Sequence, residues 1–189
     1  TEAAKEAAEI VLADDNFASI VAAVKEGRTV YDNIRKVITW TLPTNGGESL
    51  SVIAAIFMGL TLPVSPAQLL WINMVTTVAL GLTLAFEPTE PGTMRRPPRR
   101  PNEPLLSGFL VWRIVLVSVL FAVGAMGMFF WAEQQGHSVE TARTLVVNTI
   151  VAMEVFYLFN VRYQHGASLT LRGVVGTRAV LIGVASAFA

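Results

Sequence analysis

Apolar residues in this chain come in long blocks instead of alternating with polar ones. A bilayer crossing needs about 18 or more predominantly apolar residues. Four blocks reach that length: Val37–Leu60, Pro66–Phe86, Leu106–Ala132 and Ala142–Val161. A fifth runs from Val174 to Ala189 and reads as an incomplete span. The competing reading is a set of buried helices in a large soluble protein. Leu106–Ala132 argues against it, because its single charge, Arg113, lies near one end where it can snorkel to the interface. The pattern predicts an all-α fold, a polytopic transmembrane helix bundle with a short cytoplasmic N-terminal segment.

That N-terminal segment differs in kind. Glu2–Ala8 is helix-forming, and Ile10–Ala13 predicts one short buried strand. Asp14, Asp15 and Asn16 then offer capping oxygens to a helix from Phe17. Capping and loop chemistry suits these residues better than metal ligation. Phe17, Ile20, Val21, Val24 and Arg28 follow helical spacing, and no strong stop precedes Pro43. One long helix is therefore expected to run into the first span. Thr1–Glu9 carries no signal-peptide pattern and reads as a cut through a longer protein.

Composition sharpens the class. Only 15% of the 189 residues are charged, against about 25% in soluble domains, and mean hydropathy is +0.54. A disordered segment, a collagen-like repeat and a nucleic-acid-binding tail are excluded. Cysteine is absent, which removes disulfides, thiolate zinc sites and cysteine nucleophiles. His137 and His165 do not make a metal cluster. The basic residues alternate between connections. Lys25, Arg28, Arg35 and Lys36 precede the first span, Arg95, Arg96, Arg99 and Arg100 follow the second, and Arg162 and Arg172 follow the fourth. Thr61–Ser65 and Glu133–Thr141 hold no Lys or Arg. The positive-inside rule then makes the N-terminus and the basic loops cytoplasmic, and the plasma membrane is the expected location. Trp40, Trp71, Trp112 and Trp131 fall toward span ends, where an aromatic belt is expected.

The connector Glu87–Pro104 holds six prolines and four arginines. It predicts a stiff membrane-surface or domain-docking segment. Nucleic acid is a poor partner, since no aromatics are interleaved. Anionic lipid or a cytoplasmic domain fits better.

Polar residues inside the spans carry the chemistry. Glu48 and Glu154 each cost about 2.5–3.5 kcal/mol to place at the centre of a bilayer helix. Such residues persist when they face a cavity or bind a cation. Asn45 lies three residues before Glu48, on the same helix face. Pro43 frees a backbone carbonyl one turn earlier, and Gly46 and Gly47 remove bulk between the two ligand-type residues. Asn73, Thr76 and Thr77 form a second oxygen-rich face. All-oxygen donor sets suit hard cations such as Ca²⁺, Mg²⁺, K⁺ and Na⁺. Interhelical hydrogen bonding is the alternative role for the Asn and Thr residues.

The same residues resemble a known family. Thr1–Phe17 is similar to the end of the phosphorylation domain of P-type ATPases. Glu26-Gly27-Arg28 and Tyr31-Asp32-Asn33-Ile34 look like the stalk helix that follows. Asn45-Gly-Gly-Glu48, Leu70-Trp-Ile-Asn-Met-Val-Thr76 and Met153-Glu154 look like transmembrane helices five, six and eight of the calcium-pump-like class. The resemblance implies residues 1–16 as the tail of the cytoplasmic phosphorylation domain, 17–36 as stalk and 37–189 as transmembrane domain. It implies Asn45, Glu48, Asn73, Thr76, Thr77 and Glu154 as cation-binding residues, with Pro43, Asp14, Asp15 and Asn16 in structural or coupling roles. Thr77 departs from the pattern, since calcium pumps carry an aspartate there, followed by Gly and Leu-Pro. Fewer carboxylates make calcium less favoured and a monovalent cation or a single ion more so.

The resemblance also implies ATP and Mg²⁺ in the intact protein, bound outside this segment, which lacks the phosphorylated aspartate and should be inactive alone. The implied partners are the lipid bilayer, a transported inorganic cation and the rest of the same pump chain. A secondary cation transporter or channel subunit, and a non-transporting membrane anchor, are the competing classes.

Overall fold

The computed structural model describes residues 2–13, 16–99, 102, 104–163 and 178–187, and those described are helical or irregular throughout. Helix α1 covers Glu2–Ala7, α2 Phe17–Phe57, α3 Pro66–Thr76, α4 Leu82–Ala85, α5 Gly108–Gln134, α6 Val139–Val161 and α7 Arg178–Ala187. A π-helical stretch, Thr77–Gly81, joins α3 to α4, and a single 3-10 turn covers Thr93–Arg95.

The helix starts follow from side-chain capping of amide groups that have no helical acceptor. Asn16 accepts from the Ala18 amide at 3.0 Å and begins α2, as expected of that position. Ser65 and Gln68 form a reciprocal capping box ahead of α3, with Pro66 in its first turn. Ser107 and Ser138 cap α5 and α6. Gly59 and Gly136 take positive φ in the turns that reverse the chain between spans.

Helix α2 runs 41 residues without a break, through Pro43. It packs most extensively on α5, which also packs on α6. Two apolar clusters fill the bundle. One gathers Trp40, Leu80, Leu84, Phe121, Tyr157 and Leu158. The other gathers Val64, Ile72, Ala125, Phe129, Val146 and Ile150. Outward-facing Phe109, Trp112, Val115, Val119 and Val123 on α5 are exposed. Such a surface suits lipid better than water.

Among the described residues, three helices are long and apolar enough to cross a membrane: Pro66–Ala85, Gly108–Gln134 and Val139–Val161. These match the second, third and fourth expected spans closely. The first, Val37–Leu60, does not meet the same measure, because Thr39, Thr41, Thr44, Asn45, Glu48, Ser49 and Ser51 dilute its apolar character. The described part of the fifth, α7, is ten residues long.

Two further expectations need correction. Ile10–Ala13 forms no strand, and Ile10 is 79% exposed. A strand needs a neighbour to complete its hydrogen bonds, and the described residues supply none. Trp40 is not part of an interfacial belt. It is buried at 1% exposure and donates its indole N–H to the Glu154 carbonyl at 3.1 Å. Trp71, Trp112 and Trp131 are exposed, as a belt requires. Asp14 and Asp15 lie outside the described residues, as do His165 and Arg172.

Candidate intramembrane cation site

The helix pattern places one polar layer between the two apolar clusters. On α3 and the π stretch, Ile72, Thr76 and Leu80 follow one another at four-residue intervals, all buried. On α6, Ile150, Glu154 and Leu158 do the same. Thr76 and Glu154 therefore share a level, and Glu48 reaches it from α2. Asn73 donates to Glu48 Oε2 at 2.6 Å and to the Leu69 carbonyl at 3.0 Å. The Thr76 hydroxyl donates to the Ile72 carbonyl at 2.9 Å and also lies against the Glu154 carboxyl. Glu48 and Glu154 are each 2% exposed and near enough for their charges to repel. Glu48 Oε1 and Glu154 Oε2 are buried without a hydrogen-bond partner.

Four expected ligands thus converge: Glu48, Asn73, Thr76 and Glu154. Asn45 and Thr77 are exposed on the described chain and do not join them. No cluster of three or more His, Asp or Glu suited to a metal occurs among the described residues. The donor set is two carboxylates, an amide and a hydroxyl, all oxygen or able to present oxygen. That chemistry fits a hard cation.

The backbone around the site is specialised. Pro43 has no N–H for the Thr39 carbonyl, and Tyr157 donates its hydroxyl there at 3.0 Å. Ser118 on α5 donates to the Pro43 carbonyl at 3.1 Å. Gly46 and Gly47 serve the α2–α5 contact. A Cβ on Gly46 would collide with Ser118 Oγ, and one on Gly47 with Phe121 Cβ. A π stretch begins at Thr77. Such segments recur at functional sites. Gly81 lies 3.3 Å, measured from an added Cβ, from the Trp40 ring.

At one end of the bundle, a second polar system binds the connector after α4 to α2 and to the end of α6. Lys36 pairs with Glu90 at 2.9 Å, with 1% and 6% of the side chains exposed. Arg162 pairs with Glu87 at 2.7 Å, at 1% and 3%. Arg96 pairs with Asp32, and that hydrogen bond holds the guanidinium's pKa above its ordinary value. Asn33 donates to the carbonyls of Ala85 and Glu87 at 3.1 and 2.7 Å. Arg28 donates to the carbonyls of Thr93 and Arg96, both at 2.8 Å. The sequence predicts a membrane-surface or domain-docking segment, and these contacts with the bundle itself are not anticipated. The signal was present as Arg28, Asp32 and Lys36 at four-residue intervals on one face of α2.

A bundle of apolar helices long enough to cross a membrane, with two carboxylates buried at its centre, is the architecture of a polytopic membrane protein. The family described as "Cation transporting ATPase, C-terminus" matches residues 61–189. The chain belongs to that family. It is 52% identical over 186 residues to "Probable cation-transporting ATPase F" of Mycobacterium tuberculosis, covering 98% of this chain and 20% of that protein. It is 43% identical to "Cation-transporting ATPase pma1" of Synechocystis, covering 100% and 21%. It is 37% identical to the "Calcium-transporting ATPase" of Bacillus subtilis, covering 87% and 18%. The chain spans about a fifth of the length of the curated relatives it matches.

Proposed function

We propose that the chain is the membrane part of an ATP-driven cation pump, and that Glu48, Asn73, Thr76 and Glu154 form half of its intramembrane cation site. The observation that carries this is the pair of buried carboxylates, each with an unpartnered oxygen, on two different helices. A bound cation supplies the missing partner for both. Asn45 and Thr77 complete the ligand shell together with helices outside this chain, toward which their exposed side chains are available.

The region 17–36 acts as a stalk, continuous with the span that carries Glu48. Movement of a cytoplasmic domain attached through residues 1–16 is thereby transmitted to the site without an intervening loop. ATP and Mg²⁺ act outside this segment, so the segment alone is inactive. The basic end of the bundle faces the cytoplasm, most naturally at the plasma membrane. The cargo is an inorganic cation. With threonine at position 77, a monovalent ion or one divalent ion suits the charge of two carboxylates.

The test uses the full-length pump. Glu48→Gln keeps the shape and removes the charge. It should abolish cation-dependent phosphoenzyme formation from ATP while the protein still inserts and folds. Undiminished cation-dependent phosphorylation in this variant would remove Glu48 from the site.

A further inference from the structure

Away from the cation site, a cavity of about 140 Å³ lies where α2, the start of α5 and the end of α6 meet. Arg35, Thr39, Ser107, Phe109, Arg113 and Val161 line it, with Leu110. Two guanidiniums therefore face one small space. Arg35 Nε is buried and has no hydrogen-bond partner. Arg113 spends one Nη on the Asn160 side-chain oxygen at 2.5 Å and lies 5.5 Å above the Tyr157 ring. Among the described residues, no carboxylate is paired with either arginine. Their neighbours Lys36, Arg96 and Arg162 each hold an acidic partner. The cavity thus concentrates two positive charges that the described residues do not neutralise, and partial burial makes that unfavourable unless an anion enters.

The surroundings identify the anion. The cavity sits at the end of an apolar span, at membrane-interface depth. Phe109 and Trp112 stack with centroids 6.1 Å apart and are exposed beside it. Val115, Leu116 and Val119 continue the exposed apolar surface along α5. An amphiphile with an oxyanion head and hydrocarbon tails matches both parts.

We propose that this cavity binds the phosphate of an anionic phospholipid, with Arg35 and Arg113 on its oxygens and the acyl chains along the outward face of α5. Arginine suits this role because its planar fork meets phosphate oxygens in pairs. A choline headgroup is disfavoured. Its quaternary ammonium would add a third cation beside two guanidiniums, with no carboxylate to offset it.

The experiment uses full-length pump in nanodiscs of phosphatidylcholine, with and without phosphatidylglycerol. Lipid retained on the purified protein is measured by mass spectrometry, and the thermal unfolding midpoint is recorded. Phosphatidylglycerol should be retained and should raise the midpoint. Arg35→Gln and Arg113→Gln should each lower its retention about fivefold, the worth of one basic side chain near an anionic surface. Lys5→Gln, on the exposed helix α1 outside the bundle, should leave retention unchanged. Should a glutamine variant fail to fold, Arg35→Lys and Arg113→Lys keep the charge but lose the fork, and each should still reduce retention. Equal retention in the wild type and the arginine variants would overturn the proposal. So would inorganic phosphate reproducing the midpoint rise in pure phosphatidylcholine, which would mark a free-phosphate site. Equal destabilisation of the variants in both lipids, with the phosphatidylglycerol increment intact, would assign the arginines to an acidic partner elsewhere in the pump and overturn it too.

Discussion

The Tyr157 hydroxyl donates to the Thr39 carbonyl, the group that Pro43 leaves without a helical donor. Helix α6 thereby repairs a defect in α2 at a point where neither water nor lipid could. The same carbonyl would otherwise be orphaned in an apolar bundle. Tyr157→Phe should lower stability by about 1–3 kcal/mol, the cost of an unsatisfied buried acceptor. Pro43→Ala restores the missing N–H, so the penalty of Tyr157→Phe should shrink in that background. Unfolding midpoints of the four variants in one double-mutant cycle check this. Equal penalties in both backgrounds would show the two residues to be independent.

Gly46 and Gly47 allow α2 and α5 to touch, and they should differ in how they can be rescued. Gly46→Ala meets the Ser118 hydroxyl first, and Ser118→Ala removes that atom. Gly47→Ala meets Phe121 Cβ and, at 3.0 Å, the Ser118 carbonyl, which no ordinary side-chain truncation removes. Each single change should destabilise by about 1–3 kcal/mol through overpacking. Ser118→Ala should recover much of the loss for Gly46→Ala and little for Gly47→Ala. The measurement is the melting temperature in detergent of the matched single and double variants.

The bounds of three spans and the convergence of Glu48, Asn73, Thr76 and Glu154 were legible because apolar blocks and four-residue spacing are written into the sequence. A glutamate inside an apolar block has few structural explanations. What stayed hidden was the identity of neighbours. Nothing in the sequence says that Trp40 turns inward to Glu154, because an aromatic residue near a span end satisfies the belt pattern equally well. Gly46 and Gly47 were read as making room at the site, whereas they make room for Ser118 and Phe121. The exposure of Asn45, three residues from buried Glu48, also escaped a reading based on helical spacing. Residues that far apart share a face only approximately, and the neighbouring helices decide which one is covered. The ion pairs of Asp32, Lys36 and Arg162 join positions more than fifty residues apart in sequence, and periodicity within one helix cannot encode them.

The Glu87–Arg162 pair is almost fully dry, and it should therefore respond asymmetrically. Removing one partner leaves a buried charge and costs about 3–5 kcal/mol. Arg162→Met alone should be severely destabilising. Arg162→Met with Glu87→Gln should regain most of that loss, because no charge remains unpaired. Comparing melting temperatures of wild type, single and double variants decides the matter. A double variant as unstable as the single would mean that Arg162 acts through shape and not through charge.

Topology gives a separate test. Gly136 lies in the turn between α5 and α6, at the end of the bundle away from the Lys36, Arg96 and Arg162 ion pairs. A cysteine placed there should react with an impermeant thiol reagent applied to intact cells. A cysteine at Met94, exposed beside the ion pairs, should react only after the membrane is opened. The reverse pattern would invert the proposed orientation of every span.

The last expectation separates folding from cation binding at Glu48 and Glu154. Two carboxyls share a buried layer, so ionising both without cation raises the energy of the folded state. Replacing one by a neutral amide removes both a desolvation cost and a repulsion, on the order of 2–3 kcal/mol. Cation-free Glu48→Gln should therefore be as stable as the wild type or more so. Cation stabilises the wild type by mass action, because it binds the folded site and not the unfolded chain. In Glu48→Gln that increment should largely vanish, while Glu154→Gln should keep part of it, since Glu48 retains its Asn73 hydrogen bond. Melting curves of the full-length pump across a cation titration read both effects. If Glu48→Gln lowers cation-free stability and leaves the cation increment intact, the carboxylate is a packing element, and the cation site lies elsewhere.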